Sequence, residues 1–291
     1  MLQFTDRGAR GREWLVMKAP AVDYVRPHSL PEALSILTQT QGDALVIAGG
    51  QSLVAMMNLR LAAPGLLIDI ARLPELAAVT DDADIVTFGA CVTHAAIEDG
   101  RVPDSSRGLM ARAAATLAYR AIRTRGTIGG SLALADPAAE WPAVFTALDA
   151  EVMISGPSGR RSVKCTEFAT GIFETKLEAD EIVEGVRIPK LSAKSRWGYL
   201  KLCRKSGEFA SALAVVVADR DRGYCRVVLG AANGAPLILD NTSRLVFEGR
   251  REEIHGAITA DLDRAINRRF DEFQRNLHSV AAMRAVQQVL Q

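Results

Sequence analysis

Two short glycine turns constrain this chain more than any other feature: Ala48-Gly49-Gly50-Gln51-Ser52-Leu53 and Arg125-Gly126-Thr127-Ile128-Gly129-Gly130-Ser131. The first follows the apolar run Ala44-Leu45-Val46-Ile47-Ala48, which reads as a buried strand, and precedes residues 53–61, which read as a helix. That order puts bare backbone N–H groups at a helix start, where glycine lets an anion approach without a Cβ in the way. Ser52 either caps the helix, offers its hydroxyl to a phosphate oxygen, or does both. A plain strand–turn–helix unit with a serine cap accounts for this turn equally well. The second turn follows a helix-like stretch over 110–123, and its plain alternative is a close crossing of packed backbones at Gly129 and Gly130. Each turn reads as presenting N–H groups to an anion, and together they fit a diphosphate gripped from two sides. Neither G-x-G-x-x-G nor G-x-x-x-x-G-K-[ST] occurs, so Rossmann and P-loop chemistry gain no support.

Further along, Asp136 precedes Pro137 and either caps a helix running on to Leu148 or faces a ligand's sugar hydroxyls. Residues 31–39 read as an amphipathic helix; 66–70, 85–89, 151–154 and 182–188 read as strands, with Pro189 ending the last. Residues 189–195 form the natural domain boundary. Beyond it, 197–202, 212–220 and 224–231 read as strands, with Asp221-Arg222-Gly223 as a hairpin turn. Residues 254–290 read as helical, and Arg268, Arg269, Asp271, Glu272 and Arg275 as a solvated or subunit-facing surface.

Charge and composition remove several function classes. A net charge of +1 supplies no global field for nucleic acid or a membrane surface, and no apolar stretch reaches the roughly 20 residues of a membrane span. Cys91, Cys165, Cys203 and Cys225 lack C-x-x-C spacing, so they carry no zinc or iron–sulfur motif and read as buried thiols of a reducing cytosol. No nucleophile elbow, metal-ligand cluster or acid–base carboxylate pair is evident, so no residue is assigned as catalytic or metal-binding. A redox cofactor makes that absence tolerable.

The motifs and their order resemble one family over nearly the whole length: the FAD-binding medium subunits of molybdenum hydroxylases. The resemblance is carried by Met17-Lys18-Ala19-Pro20, Tyr24-Val25-Arg26-Pro27, both glycine turns, Leu59-Arg60-Leu61, Ile68-Asp69-Ile70 and Gly89-Ala90-Cys91-Val92-Thr93-His94. It continues in Ala135-Asp136-Pro137-Ala138-Ala139-Glu140, Ile188-Pro189 and Lys201 with Arg204-Lys205-Ser206-Gly207-Glu208-Phe209-Ala210. It implies an α+β chain whose FAD-binding domain has the vanillyl-alcohol oxidase (PCMH-type) fold in two subdomains, followed by a smaller α+β domain. The divisions expected are an extension over 1–16, an FAD domain over 17–189 and a C-terminal domain over 190–291. The extension does not read as a secretory signal, since it carries Arg7, Arg10 and Arg12 without an apolar core.

By the same resemblance, FAD is held non-covalently. Ile47, Ala48, Gly49, Gly50, Gln51, Ser52 and Leu53 clamp the diphosphate together with Thr127, Ile128, Gly129, Gly130 and Ser131. Asp136 faces the sugar or ribitol hydroxyls, Thr93 lies close to the flavin, Lys201 lies near the ring or the phosphates, and Ile182 and Val183 join the site. Relatives often carry Gly-Asp-Tyr-Ala or Gly-Asp-Phe-Ala where this chain has Gly207-Glu208-Phe209-Ala210, which makes Phe209 the aromatic for the flavin ring. Taken alone, Phe209 reads more simply as a core residue. His94 reads as a surface or capping histidine, with covalent flavin attachment as the other option.

The implied complex is a cytoplasmic heterotrimer. A large subunit carries molybdopterin, a small subunit carries two [2Fe–2S] clusters, and this chain passes their electrons through FAD to an external acceptor. Two other readings stay open: a stand-alone flavin oxidase or reductase, which requires substrate-binding residues over the flavin, and a colourless scaffold whose glycine turns serve packing alone.

Overall fold

The computed structural model describes residues 19–266 and 270–291. The expected extension over 1–16, the Met17-Lys18 start, and Arg268 and Arg269 lie outside the described residues.

A small parallel sheet comes first, in the order β1-β3-β2, from β1 (Asp23–Val25), β2 (Ala44–Ile47) and β3 (Leu66–Asp69). Helix α1 (Leu30–Gln39) starts where Ser29 accepts a hydrogen bond from the Glu32 N–H and Pro31 takes an early position needing no donor. It buries Leu30, Ala33 and Leu37 against Ile68 and Leu76. After β2 the first glycine turn leads into α2 (Leu53–Asn58). This helix is shorter than the apolar run implied. Its end is a left-handed cap in which Arg60 (φ 58°) donates to Met57 and Leu61 donates to Met56.

A five-stranded antiparallel sheet follows, ordered β4-β5-β10-β6-β7, from β4 (Val79–Asp81), β5 (Ile85–Gly89), β6 (Glu151–Gly156), β7 (Gly159–Lys164) and β10 (Ile182–Pro189). The one-turn α3 (Pro74–Ala77), α9 (Cys165–Phe168) and the hairpin β8 (Ala169–Gly171) with β9 (Glu174–Thr175) flank it. Between β5 and β6 run α4 (His94–Glu98), α5 (Leu109–Thr116), α6 (Arg120–Arg123), α7 (Ile128–Leu134) and α8 (Glu140–Ala147).

Two expectations fail here. The single helix over 110–123 is split into α5 and α6, with Ala118 at φ 35° between them. Cations account for the break: Lys201 takes the Thr116 carbonyl at 3.0 Å, and Arg123 takes those of Leu117 and Ala118 at 2.8 and 2.9 Å. Carbonyls that a continuing helix needs are thus spent on tertiary contacts. The helix expected from Pro137 starts only at Glu140, because Asp136 closes a local turn onto the Ala138 N–H and the Pro137 carbonyl accepts from Ala231.

The last sheet is antiparallel, β11 (Arg196–Leu202), β12 (Ala212–Asp219), β13 (Tyr224–Gly230) and β14 (Leu237–Ile238) in that order. Strand β12 is buried on both faces, which explains its unbroken apolar run. Leu213, Val215 and Val217 join the core of Trp141, Phe145 and the five-stranded sheet, whereas Ala212, Ala214 and Val216 pack under α10 (Asp240–Glu248), α11 (Ile254–Ile266) and α12 (Glu272–Leu290). Each fully buried large side chain such as Phe145 contributes about 2–3 kcal/mol. Gly198 admits the α12 backbone, since a Cβ there would lie 1.9 Å from the Ala285 carbonyl oxygen. On the same helix, Gln288 pairs its amide with the Tyr199 N–H and carbonyl and so covers the exposed edge of β11. Asp271 and Gln274 form a capping box on α12, the role one of the charges expected at the surface plays. No helix among the described residues is long and apolar enough to cross a membrane.

Candidate cofactor site

The fold brings the two glycine turns into direct contact. A Cβ on Gly49 would lie 2.1 Å from the Arg125 carbonyl oxygen and 2.8 Å from the Gly126 Cα, so only glycine allows this approach. Behind the junction, His94 underlies Gly126, where a Cβ would sit 2.8 Å from the ring Nε2. The Trp141 Nε1–H donates to His94 Nδ1 at 3.0 Å, and the two rings lie 5.8 Å apart. His94 is therefore a buried prop, neither a surface residue nor a cap; Thr93 is the cap of α4, accepting from the Ala96 N–H at 3.2 Å. Burial, with a smaller contribution from the Arg123 charge, lowers the His94 pKa from 6.5 to about 4 and keeps the ring neutral.

The turns differ in what their amides do. In the first, the N–H groups of Gly49, Gly50, Gln51, Ser52 and Leu53 donate to no group among the described residues. Gly50 makes this possible by turning the chain at φ 71°. Ser52 sits at the start of α2 but makes no capping hydrogen bond, which leaves its hydroxyl free. In the second turn every amide from Ile128 to Ser131 is used: Ile128 donates to Val92, Gly129 to Ala90, Gly130 to Thr127 Oγ1, and Ser131 to the Thr127 carbonyl. The expectation that this turn also offers bare N–H groups is corrected. It is the start of α7, capped by Thr127 and bridged to Thr93, and Gly129 serves close packing, with Ala90 Cβ 2.4 Å from where its own Cβ would be. Its outward parts are Gly130 and the half-buried Ser131.

A cavity of about 610 Å³ opens beside the first turn. Ile47, Ala48, Gly49, Gly50 and Gln51 form one wall, and Val54, Ala55 and Asn58 of α2 another. Tyr24, Arg26, Asp69 and Arg125 complete it; they were absent from the sequence-derived site. Arg26 pairs with Asp69 at 3.1 Å and donates to the Tyr24 hydroxyl at 2.8 Å, while that hydroxyl donates to Asp69. Burial pushes the Asp69 carboxyl up, but hydrogen bonds from Tyr24, Ala71 and Arg26 outweigh it and hold it below the usual range. The motif Ile68-Asp69-Ile70 and the Tyr24-Val25-Arg26 strand were the available signal. Their pairing across parallel strands needed the fold.

The other expected site residues lie elsewhere. Ile182 and Val183 are buried in two different core clusters. Lys201 is buried, its ammonium 2.6 Å from Glu140 Oε1 and 3.0 Å from the Thr116 carbonyl. Burial pushes the Glu140 carboxyl up, opposed by the Lys201 charge. Asp136 is half-buried and committed through Oδ1 to its own turn. Phe209 is 68% exposed, which overturns the plain core reading. The loop that carries it packs back through Gly207 (φ 87°) onto Ala118 and Tyr119. Of the four cysteines read as buried thiols, Cys91 and Cys165 are buried, whereas Cys203, just past the end of β11, and Cys225, near the start of β13, are only half-buried; burial raises the Cys91 thiol to about 12.

Comparison with known proteins fits this geometry. The nicotine 6-hydroxylase medium subunit of Paenarthrobacter nicotinovorans is 40% identical over 221 residues, 75% of this chain and 77% of that one. The carbon monoxide dehydrogenase medium chain of Hydrogenophaga pseudoflava is 35% identical over 254 residues, covering 86% and 88%. A solved structure of carbon monoxide dehydrogenase from the same organism superimposes with a TM-score of 0.83 at 31% identity, over 93% of this chain and 98% of that one. Residues 20–191 match the family described as the FAD binding domain in molybdopterin dehydrogenase. With the glycine turns joined and the amides of the first turned to an open cavity, the chain belongs to that family and is an oxidoreductase flavoprotein of the molybdenum hydroxylase medium-subunit type.

Proposed function

We propose that this chain is the subunit at which a heterotrimeric molybdenum hydroxylase hands electrons from [2Fe–2S] clusters of a small partner to an external acceptor, FAD supplying the one- and two-electron chemistry. A large molybdopterin-bearing partner hydroxylates the substrate. The observation that carries the reading is the row of unpaired amides from Gly49 to Leu53, a cradle for the diphosphate that a Cβ at Gly49 or Gly50 would disturb. Ser52 would add a hydroxyl, and Arg125 lines the cavity, where its guanidinium would complement the permanent negative charge of the diphosphate. Ser131 and Gly130 border the diphosphate from the second turn, and the cavity lined by Tyr24, Arg26 and Asp69 takes the part of FAD that extends on that side. Phe209, exposed at the surface, would be the aromatic that packs on the flavin ring. The FAD domain spans 17–189 in two PCMH-type subdomains and the C-terminal domain 190–291, in a cytoplasmic complex.

The test is co-expression with genes for a large molybdopterin-binding and a small [2Fe–2S] subunit of this family, followed by visible spectroscopy and acid precipitation. FAD released into the supernatant from a preparation of three copurifying chains is the expected result. A colourless chain that purifies alone and takes up no added FAD contradicts the proposal.

A further inference from the structure

A second cavity, of about 530 Å³, lies in the C-terminal domain. Arg196 and Ala218 are cross-strand partners of β11 and β12, and Arg220 follows two residues on, so all three line the helix-facing side of the sheet at one end. Val246, Phe247 and Gly249 from the end of α10, Arg251, and Val289 and Leu290 from the end of α12 close the other side, with Lys194 at the rim. Lys201, by contrast, sits at the far end of β11, about 17 Å along the strand, and its partner Leu213 belongs to the opposite face. The crevice thus lies on the other side of the sheet from Lys201 and shares no lining residue with the cavity beside the first glycine turn.

Its charge is unbalanced although the chain as a whole is nearly neutral. The guanidinium groups of Arg196 and Arg220 make no hydrogen bond or ion pair among the described residues; only their backbones are engaged, Arg196 in the β11–β12 ladder and the Arg220 carbonyl with the Gly223 N–H. Lys194 has only a loose contact with Asp221 at 3.5 Å, and Arg251 donates to the Leu290 carbonyl. Gln291 also lines the crevice, while the nearby side-chain carboxylates of Glu248, Glu253 and Asp219 are engaged elsewhere: Glu248 with Arg244 at 3.1 Å and Arg250 at 3.6 Å, Glu253 with Arg250 at 2.6 Å, and Asp219 with Ser192 at 2.6 Å. The cationic wall faces an apolar one, in which Phe247 is 38% exposed. Two free guanidinium forks suit the oxygens of a phosphate, and the apolar wall suits an attached ring or chain.

We propose that this crevice binds a small organic phosphate, with the phosphate on Arg196 and Arg220 and the apolar body against Phe247 and Leu290. The assignment is independent of the flavin reading. It is tested by calorimetric titration of the purified protein with phenyl phosphate and, separately, with inorganic phosphate, each with and without added FAD; a site unaffected by FAD is distinct from the first cavity. The expected result is one saturable site, at least roughly fivefold tighter for phenyl phosphate. Binding should weaken roughly tenfold or more in the R196A/R220A double variant. Because neither guanidinium has a partner within the fold, that variant keeps its thermal midpoint and flavin content. F247A should weaken phenyl phosphate while leaving inorganic phosphate unchanged. Absence of saturable binding, equal affinity for the two probes, or unchanged affinity in the double variant overturns the proposal.

Discussion

The two glycine turns touch each other, yet they solve opposite problems. The first keeps its amides from Gly49 to Leu53 unpaired and faces an open cavity; the second spends its amides on Val92, Ala90 and Thr127 and is buried against His94. The first is a binding surface and the second is the rigid base it leans on. Glycine serves the first partly through a positive φ at Gly50 and the second through close packing at Gly129. Substitutions should therefore separate stability from cofactor affinity.

The largest effect belongs to the buried side. Lys201→Met leaves the Glu140 carboxylate without its cation between the two sheets and should cost about 4 kcal/mol in urea unfolding. The K201M/E140Q pair should recover much of it; equal loss in both variants would show that the pair is not what holds β11 to α5 and α8. Next comes Gly129→Ala, whose methyl has no room beside Ala90, with an expected loss of about 3 kcal/mol and of flavin together. A stable, flavin-free G129A protein would mean that the second turn binds rather than supports.

The His94 prop gives a pH signature of smaller size. Its pKa is depressed in the fold from 6.5 to about 4, so its contribution is complete above 6.5 and is lost as pH falls through that window. At pH 5 the loss is roughly 2 kcal/mol. In H94N, where an amide oxygen can still accept from Trp141, the thermal midpoint should vary less between pH 7 and 5; the same slope as the parent would remove His94 from the support. The smallest effect on stability is at the first turn. Ser52→Ala should change unfolding by less than about 0.5 kcal/mol because no cap is lost, yet weaken FAD several-fold by equilibrium titration. A large loss of stability there would erase the contrast.

Much of this was legible in the sequence. Residues 44–48, 85–89, 182–188 and 212–220 announce their strands through local apolar runs, and the motif series points to the family. Most of the misreadings share one cause, contacts between residues far apart in the chain, although the short α2 and the late start of α8 also owe to local turns at Arg60 and Asp136. The helix over 110–123 breaks because Lys201 and Arg123 take its carbonyls. The amides of the second turn are consumed by Ala90 and Val92, which no local pattern reveals. Arg125 escaped notice because its motif drew attention to the glycines after it, and Tyr24, Arg26 and Asp69 because they converge only when β1 and β3 pair. Phe209 looked like core by residue type, but Gly207 turns its loop back on Ala118 and leaves the ring in solvent.

The most direct test of the central claim compares FAD with FMN on the protein stripped of flavin, by fluorescence quenching at equilibrium. FMN carries the same ring but no diphosphate. If the free amides of the first turn hold the diphosphate, FAD should bind at least roughly a hundredfold more tightly, the equivalent of two charge-assisted hydrogen bonds. FMN binding as tightly as FAD would contradict the account and leave the ring contacts as the source of affinity.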